Sequence, residues 1–196
     1  MKSLINLILF SFLLLNFSLA FAKDFALVKK VNGIVTLGEK KLKVGDSVRL
    51  GALVDASKKG SFIDLEIPGN GKIRLVGGLM KVKKISTNDS IYELIKGKIF
   101  TYFKKDKEDE RQLRILTNEG SFAVRGTKFA VIKEEDYKSI LCVCEGEVEA
   151  KNNYGVTGVV RSDQEVAFSG VDRNISSKIE NKEMKKLRSV FSKMGL

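Results

Sequence analysis

The chain has 196 residues, 43% apolar and 30% charged, with one proline, no tryptophan, no histidine and a net charge of +11. That length supports one domain with a real core, and the balance is too apolar for a disordered chain and too charged for a multi-span membrane protein. The missing histidine excludes a Ser-His-Asp triad, a Cys-His dyad and the usual zinc and haem sites, so the chain reads as a binding or structural protein rather than an enzyme.

Met1-Lys2-Ser3 is a short positive start, followed by an uncharged, mostly apolar run from Leu4 to Ala22. The run closes on Ala20-Phe21-Ala22 before Lys23-Asp24 turns polar, the order of charge, apolar stretch and small residues that marks a secretory signal peptide. An uncleaved anchor is the alternative, because such a run just reaches across a bilayer. Either way the remaining chain is expected outside the cytoplasm, in the periplasm or beyond, and peripheral to a membrane if anchored. The expected division is a signal peptide at 1–22, an all-β domain at 23–172 and a C-terminal helix at 173–196.

The dominant signal from Phe25 to Phe168 has period two. Ile63, Leu65 and Ile67 alternate with Asp64 and Glu66, Pro68-Gly69-Asn70-Gly71 turns the chain, and Ile73 and Leu75 alternate with Lys72 and Arg74. Period and turn chemistry together predict a half-buried hairpin. Further short strands are expected at Leu79–Lys83, Ile91–Lys96, Lys98–Phe103, Leu113–Thr117, Ser121–Arg125, Thr127–Lys133, Ser139–Cys144, Glu147–Lys151 and Glu165–Phe168, with glycines between many of them. Many short strands at turn-to-turn spacing give an all-β body, which a sandwich, a roll or a β-solenoid would satisfy equally. The run Lys104–Glu110 nearly balances its charges and reads as a solvated loop.

Cys142 and Cys144 stand two apart on one strand, so both point to one face and Leu141 and Val143 to the other. They fit a core face as small apolar residues, and a strand kink would be needed for a C-x-C disulfide.

After Phe168 the pattern changes. Ser177-Lys178-Ile179-Glu180 fits a capping box and Gly195 a helix C-cap, while Ile179, Met184, Leu187, Val190, Phe191 and Met194 share one helical arc. Lys178, Lys182, Lys185, Lys186, Arg188 and Lys193 lie outside it. The apolar stripe either covers a face of the β body or meets a membrane, with those basic residues as candidate contacts to anionic lipid or polymer. Of the 35 basic residues, 27 are lysine, which suits a solvated surface or anionic headgroups better than bidentate reading of bases; nucleic acid is not an expected partner.

One stretch carries a family likeness. Leu42-Lys43-Val44-Gly45-Asp46 precedes the hairpin, Val124-Arg125-Gly126-Thr127-Lys128-Phe129-Ala130-Val131 follows it, and Glu145-Gly146-Glu147-Val148 comes next. Over about Leu27–Gly170 the chain resembles the FecR domain, with V-R-G-T-x-F-x-V and E-G-x-V as its most specific marks. The resemblance implies an extracytoplasmic all-β domain, β-solenoid or roll-like, used for protein interaction and signal reception, with another envelope protein as partner and no cofactor. The cytoplasmic anti-sigma segment and the added C-terminal module of better-known members are not expected, since three residues precede the apolar run and about 26 follow Gly170. A peripheral binder of anionic lipid or cell-wall polymer is the competing reading.

Read from their own chemistry, the signature residues Gly45, Asp46, Val124, Gly126, Thr127, Phe129, Val131, Glu145, Gly146 and Val148 are mainly architectural. Gly126 suggests a positive φ, a bulge or a close approach, Thr127 a hydroxyl tied to nearby backbone, Phe129 and Val131 one core face, and Gly45-Asp46 an Asx-type turn. Arg125 is the candidate to anchor a carboxylate.

Overall fold

A computed structural model of the chain describes residues 24–68, 71–86, 89–103, 112–124, 126–133, 138–155, 157–169 and 172–196, of which 172–177 in backbone only. Both the apolar run 4–22, expected as a signal peptide, and the charged run 104–110 lie outside the described residues.

Among the described residues sixteen strands form one continuous sheet. In chain order they are β1 Phe25–Asn32, β2 Thr36–Leu37, β3 Lys40–Lys41, β4 Ser47–Arg49, β5 Leu53–Asp55, β6 Phe62–Ile67, β7 Gly71–Lys84, β8 Asp89–Phe103, β9 Gln112–Leu116, β10 Gly120–Val124, β11 Thr127–Lys133, β12 Lys138–Glu145, β13 Glu147–Asn152, β14 Thr157–Arg161, β15 Gln164–Ser169 and β16 Asp172–Lys178. Among the described residues one helix, α1 (Asn181–Lys193), follows them.

The sheet doubles back on itself because its two longest strands bend. β7 and β8 each read in sequence as two shorter strands separated by glycine. They are continuous, and their pairing register shifts between Val76 and Leu79, where Gly77-Gly78 meets Gly97. The first half of β7 pairs with β6, and its second half with β5. The first half of β8 pairs in parallel with β9, and its second half pairs antiparallel with β11. Two layers result. The first runs β4-β1-β6-β7-β8-β11-β12-β15-β16, and the second β3-β2-β5-β7-β8-β9-β10-β13-β14. Among the described residues the sheet does not close into a barrel.

Period-two burial follows from this arrangement. Ile63, Leu65, Ile73, Leu75, Ile99, Phe129, Val131, Leu141 and Val143 of the first layer face Val54, Met80, Val82, Leu94, Leu113, Ile115, Phe122 and Val148 of the second in one continuous core. Phe122 on β10 and Phe168 on β15 stack across the gap, ring centroids 5.6 Å apart and planes within 11°. Each such side chain contributes about 1.5–3 kcal/mol by leaving water.

The C-terminal segment departs from expectation in one respect. Residues 172–178 are strand β16, paired antiparallel with β15, so the β body runs on past 172 and the helix begins only at Asn181. The capping box does not form: Glu180 is the N-cap residue and makes no side-chain cap. A strand partner for Ser177 satisfies its backbone instead, which removes it from the helix. The other end agrees with the sequence. Gly195 has φ 74°, and Leu196 and Gly195 donate their amides to the carbonyls of Phe191 and Ser192, a Schellman stop.

Candidate interaction site

The signature residues gather where the strands cross from one layer to the other. Asn32-Gly33-Ile34 carries β1 into β2, Gly77-Gly78 and Gly97 bend β7 and β8, Gly126 links β10 to β11, Gly146 links β12 to β13, and Ser162-Asp163 links β14 to β15. These corners touch one another. Asn32 donates its side-chain amide to the Gly60 carbonyl, and Ser61 accepts from the amide of Gly77. A Cβ on Gly97 would sit 2.5 Å from the Gly78 Cα, and one on Gly146 would meet the Thr127 methyl and the Gly126 carbonyl. Ser162 exchanges hydrogen bonds with the backbone of Gly146. Gly146 (φ 89°) therefore answers both to backbone conformation and to lack of space, and Gly126 (φ 74°) to backbone conformation.

Around them the signature builds core. Val124, Phe129, Val131 and Val148 are buried in the interlayer cluster. Glu145 is exposed and pairs with Lys128 at 3.0 Å. Gly45 (φ 92°) and Asp46 form the expected turn, in which Asp46 accepts from the Lys43 amide at 2.8 Å and from Lys40 Nζ at 2.8 Å. Those bonds hold its carboxyl below the usual carboxylate range. Thr127 differs from expectation: among the described residues its hydroxyl is buried without a partner, while its methyl group lies against Gly146. Arg125 lies outside the described residues.

On its outer side the first layer carries α1. Met184, Leu187, Phe191 and Met194, with Ile179, bury against Phe100, Ala130 and Cys142, flanked by Val76, Ile140, Cys144 and Val190. Phe191 meets Phe100 edge-on, centroids 6.0 Å apart. The sequence-derived stripe is thus the docking face, and it covers the β body. Arg74 and Lys72 of β7 hold the far end, donating to the carbonyls of Lys193 and Met194 at 3.2 and 3.3 Å. Cations there complement the helix C-terminus. Lys178, Lys182, Lys185, Lys186, Arg188 and Lys193 are all exposed. Arg188 pairs with Asp163 at 3.3 Å and Lys186 with Glu183 at 2.6 Å.

Both cysteines lie beneath this helix and are free thiols. Burial pushes Cys144 up to about 11, and burial with the nearby Glu165 charge pushes Cys142 higher still. Neither is a nucleophile near neutral pH.

Sequence reasoning missed a polar cluster that ties the layers together. Glu119, in the β9–β10 turn, accepts from Lys133 Nζ at 2.8 Å and from Ser139 Oγ at 2.5 Å, and all three side chains are buried. Burial raises the Glu119 carboxyl, but the bonds from Lys133 and Ser139 outweigh it and hold the group below its ordinary value. Among the described residues, no group of three or more Cys, Asp or Glu is placed to hold a metal, and no helix is long and apolar enough to cross a membrane.

A doubled-back sheet, antiparallel except where β8 meets β9, with a helix over one layer and its signature spent on corners and core, defines a two-layered β module. Residues 56–149 match the sequence model of the FecR protein family. The match starts at the β5–β6 corner and ends in β13, shorter than the sequence resemblance suggested, although β1 and β14–β16 continue the same layers. Among curated proteins none matches the chain. Two crystal structures share the fold, both of a candidate anti-sigma factor from Parabacteroides distasonis ATCC 8503. One has 15% identity and a TM-score of 0.54 over 64% of this chain and 59% of that one. The other has 15% identity and a TM-score of 0.56 over 67% of this chain and 62% of that one. The chain thus spans about six tenths of each of these structures.

Proposed function

We propose that the chain is an exported, non-catalytic signal-reception module that binds another protein of the cell envelope through its β body. The observation that carries this reading is the FecR match over 56–149, which falls on strands of both layers and on four of their corners. The description of the structural relatives as candidate anti-sigma factors supports a regulatory role. The apolar run Leu4–Ala22 supports export to the periplasm or beyond. Repeated crossing of strands along one line of corners supports a roll-like description of the body.

A second reading, contact with anionic lipid or cell-wall polymer, is favoured by one feature. Six basic side chains of the C-terminal segment stand in solvent while the apolar stripe is covered, so such contact would act by charge without insertion.

Cross-linking in living cells, with attached proteins identified by mass spectrometry, separates the two. Removing the helix would strip the cover from Phe100 and Cys142, so the comparison is a chain with Lys182, Lys185, Lys186 and Lys193 all changed to Gln. One dominant protein attached to both forms is the expected result. No discrete partner, with envelope association lost in the variant, would overturn the protein-binding reading.

A further inference from the structure

We propose that β14 is a homotypic docking edge, through which two copies of the chain pair their Thr157–Arg161 strands antiparallel about a two-fold axis at Val159. Among the described residues, β14 ends the second layer and pairs only with β13. Arg161 donates its amide to Gln164 Oε1 at 2.9 Å. Strand alternation then turns the amide and carbonyl of Val159 to the same open side, away from β13.

The other strands at the layer margins are blunted against such pairing. β3 is two residues long, both lysine, and β4 is three residues long and ends on Arg49. The pairing of β16 with β15 carries a register shift. By contrast β14 has five residues with no lysine, no proline and no bulge, and Val159 at its centre is 45% exposed. An edge open at its apolar centre, with only the Arg161 amide already taken up by Gln164, is the kind that accepts another strand.

The strand is also complementary to itself. About an axis at Val159, Val159 meets Val159, Gly158 meets Val160 and Thr157 meets Arg161, with no like charges opposed. Local charge permits the approach. In a chain of net charge +11, this margin is balanced: Arg161 pairs with Glu147 at 3.0 Å, and Glu149 and Lys151 stand opposite Val159 and Thr157 on β13. Two copies meeting here avoid the repulsion that their lysine-rich faces would impose. Five residues of strand make a small interface, so the pairing is weak and concentration-dependent.

Sedimentation of the full chain from micromolar to submillimolar concentration tests this. The weight-average mass should climb toward that of two chains, and Val159→Lys should weaken association by about tenfold or more while circular dichroism and Tm hold. A chain that stays monomeric throughout, or a dimer indifferent to Val159→Lys, overturns the proposal. Oxidative cross-linking reads the register. Val159→Cys should link to itself, and Thr157→Cys should link to Arg161→Cys but not to another Thr157→Cys. Self-linking of Thr157→Cys would overturn the two-fold arrangement.

Discussion

Arg74 joins the β body to its helix. Its guanidinium grips Asp64 through Nε and Nη2 at 2.6 and 2.7 Å, and Nη2 also reaches the Lys193 carbonyl at 3.2 Å. It lies over the Phe62 ring as well, 4.7 Å from the centroid. One side chain therefore fixes a cross-strand ion pair and the end of α1. Arg74→Met leaves Asp64 unpaired on a nearly buried face and frees the last helical turn. The expected cost is about 3 kcal/mol, measured as a lower urea midpoint. Lys72→Met, which removes one exposed-side contact to the same helix end, should cost under about 1 kcal/mol.

Neighbouring glycines at one corner fail for different reasons. Gly77 has φ 58° and open space where a Cβ would go, so Gly77→Ala should cost about 1–2 kcal/mol in backbone strain alone. Gly78 has an ordinary φ, but a Cβ there would overlap the Lys96 carbonyl. Gly78→Ala must push β7 and β8 apart, and it should lose several times more stability in thermal unfolding. Equal effects would contradict the close approach of the two strands.

Stability should depend on acid pH through Glu119. Its folded value lies below the ordinary 4.5, so the unfolded chain binds that proton more readily. The contribution is present above about pH 4.5, falls as pH drops through the folded value, and is gone below it. Glu119→Gln should therefore be destabilised at pH 7, and its gap to the native chain should narrow as pH falls toward 3. Exposed carboxylates common to both chains cancel in that difference. Lys133→Met, which strands the buried carboxylate, should cost about 3–5 kcal/mol at pH 7.

The thiols report on the helix. Both should resist a maleimide at pH 8 in the native chain, since each is held protonated under α1. Leu187→Ala cuts the docking contact by about 2–4 kcal/mol and should raise labelling of Cys142 and Cys144 together. Labelling of one cysteine alone would show that the helix does not cover both.

How far the sequence could be read depended on how local each cause was. The hairpin through Ile63 and Leu75, the common face of Cys142 and Cys144, and the stripe from Met184 to Phe191 are short-range patterns of period 2 or 3.6 that appear as expected, while Ile179 joins the same cluster from ahead of the helix. Gly77 and Gly97 were legible as interruptions but not as bends, because a strand that turns a corner and two strands with a turn between them share one pattern. Ser177 showed the opposite error: a local capping signal yielded to a long-range strand pairing with β15. The Glu119–Lys133–Ser139 cluster joins residues brought together only when the sheet doubles back, so nothing in their spacing announced it. Asp64 and Arg74 could have been matched, since they face each other in the hairpin that the sequence already predicted.

From β9 onward the chain lays down two strands in the second layer, two in the first, two in the second and two in the first. Every change of layer brings its own corner, at Gly126, Gly146 and Asp163. The body is thus extended in units of one hairpin, each of which widens a single layer by two strands and leaves the next margin open. Adding or losing such a unit would change the width of the module without redrawing the corners before it. The margin that ends the second layer is, in this sense, simply where the last unit stops.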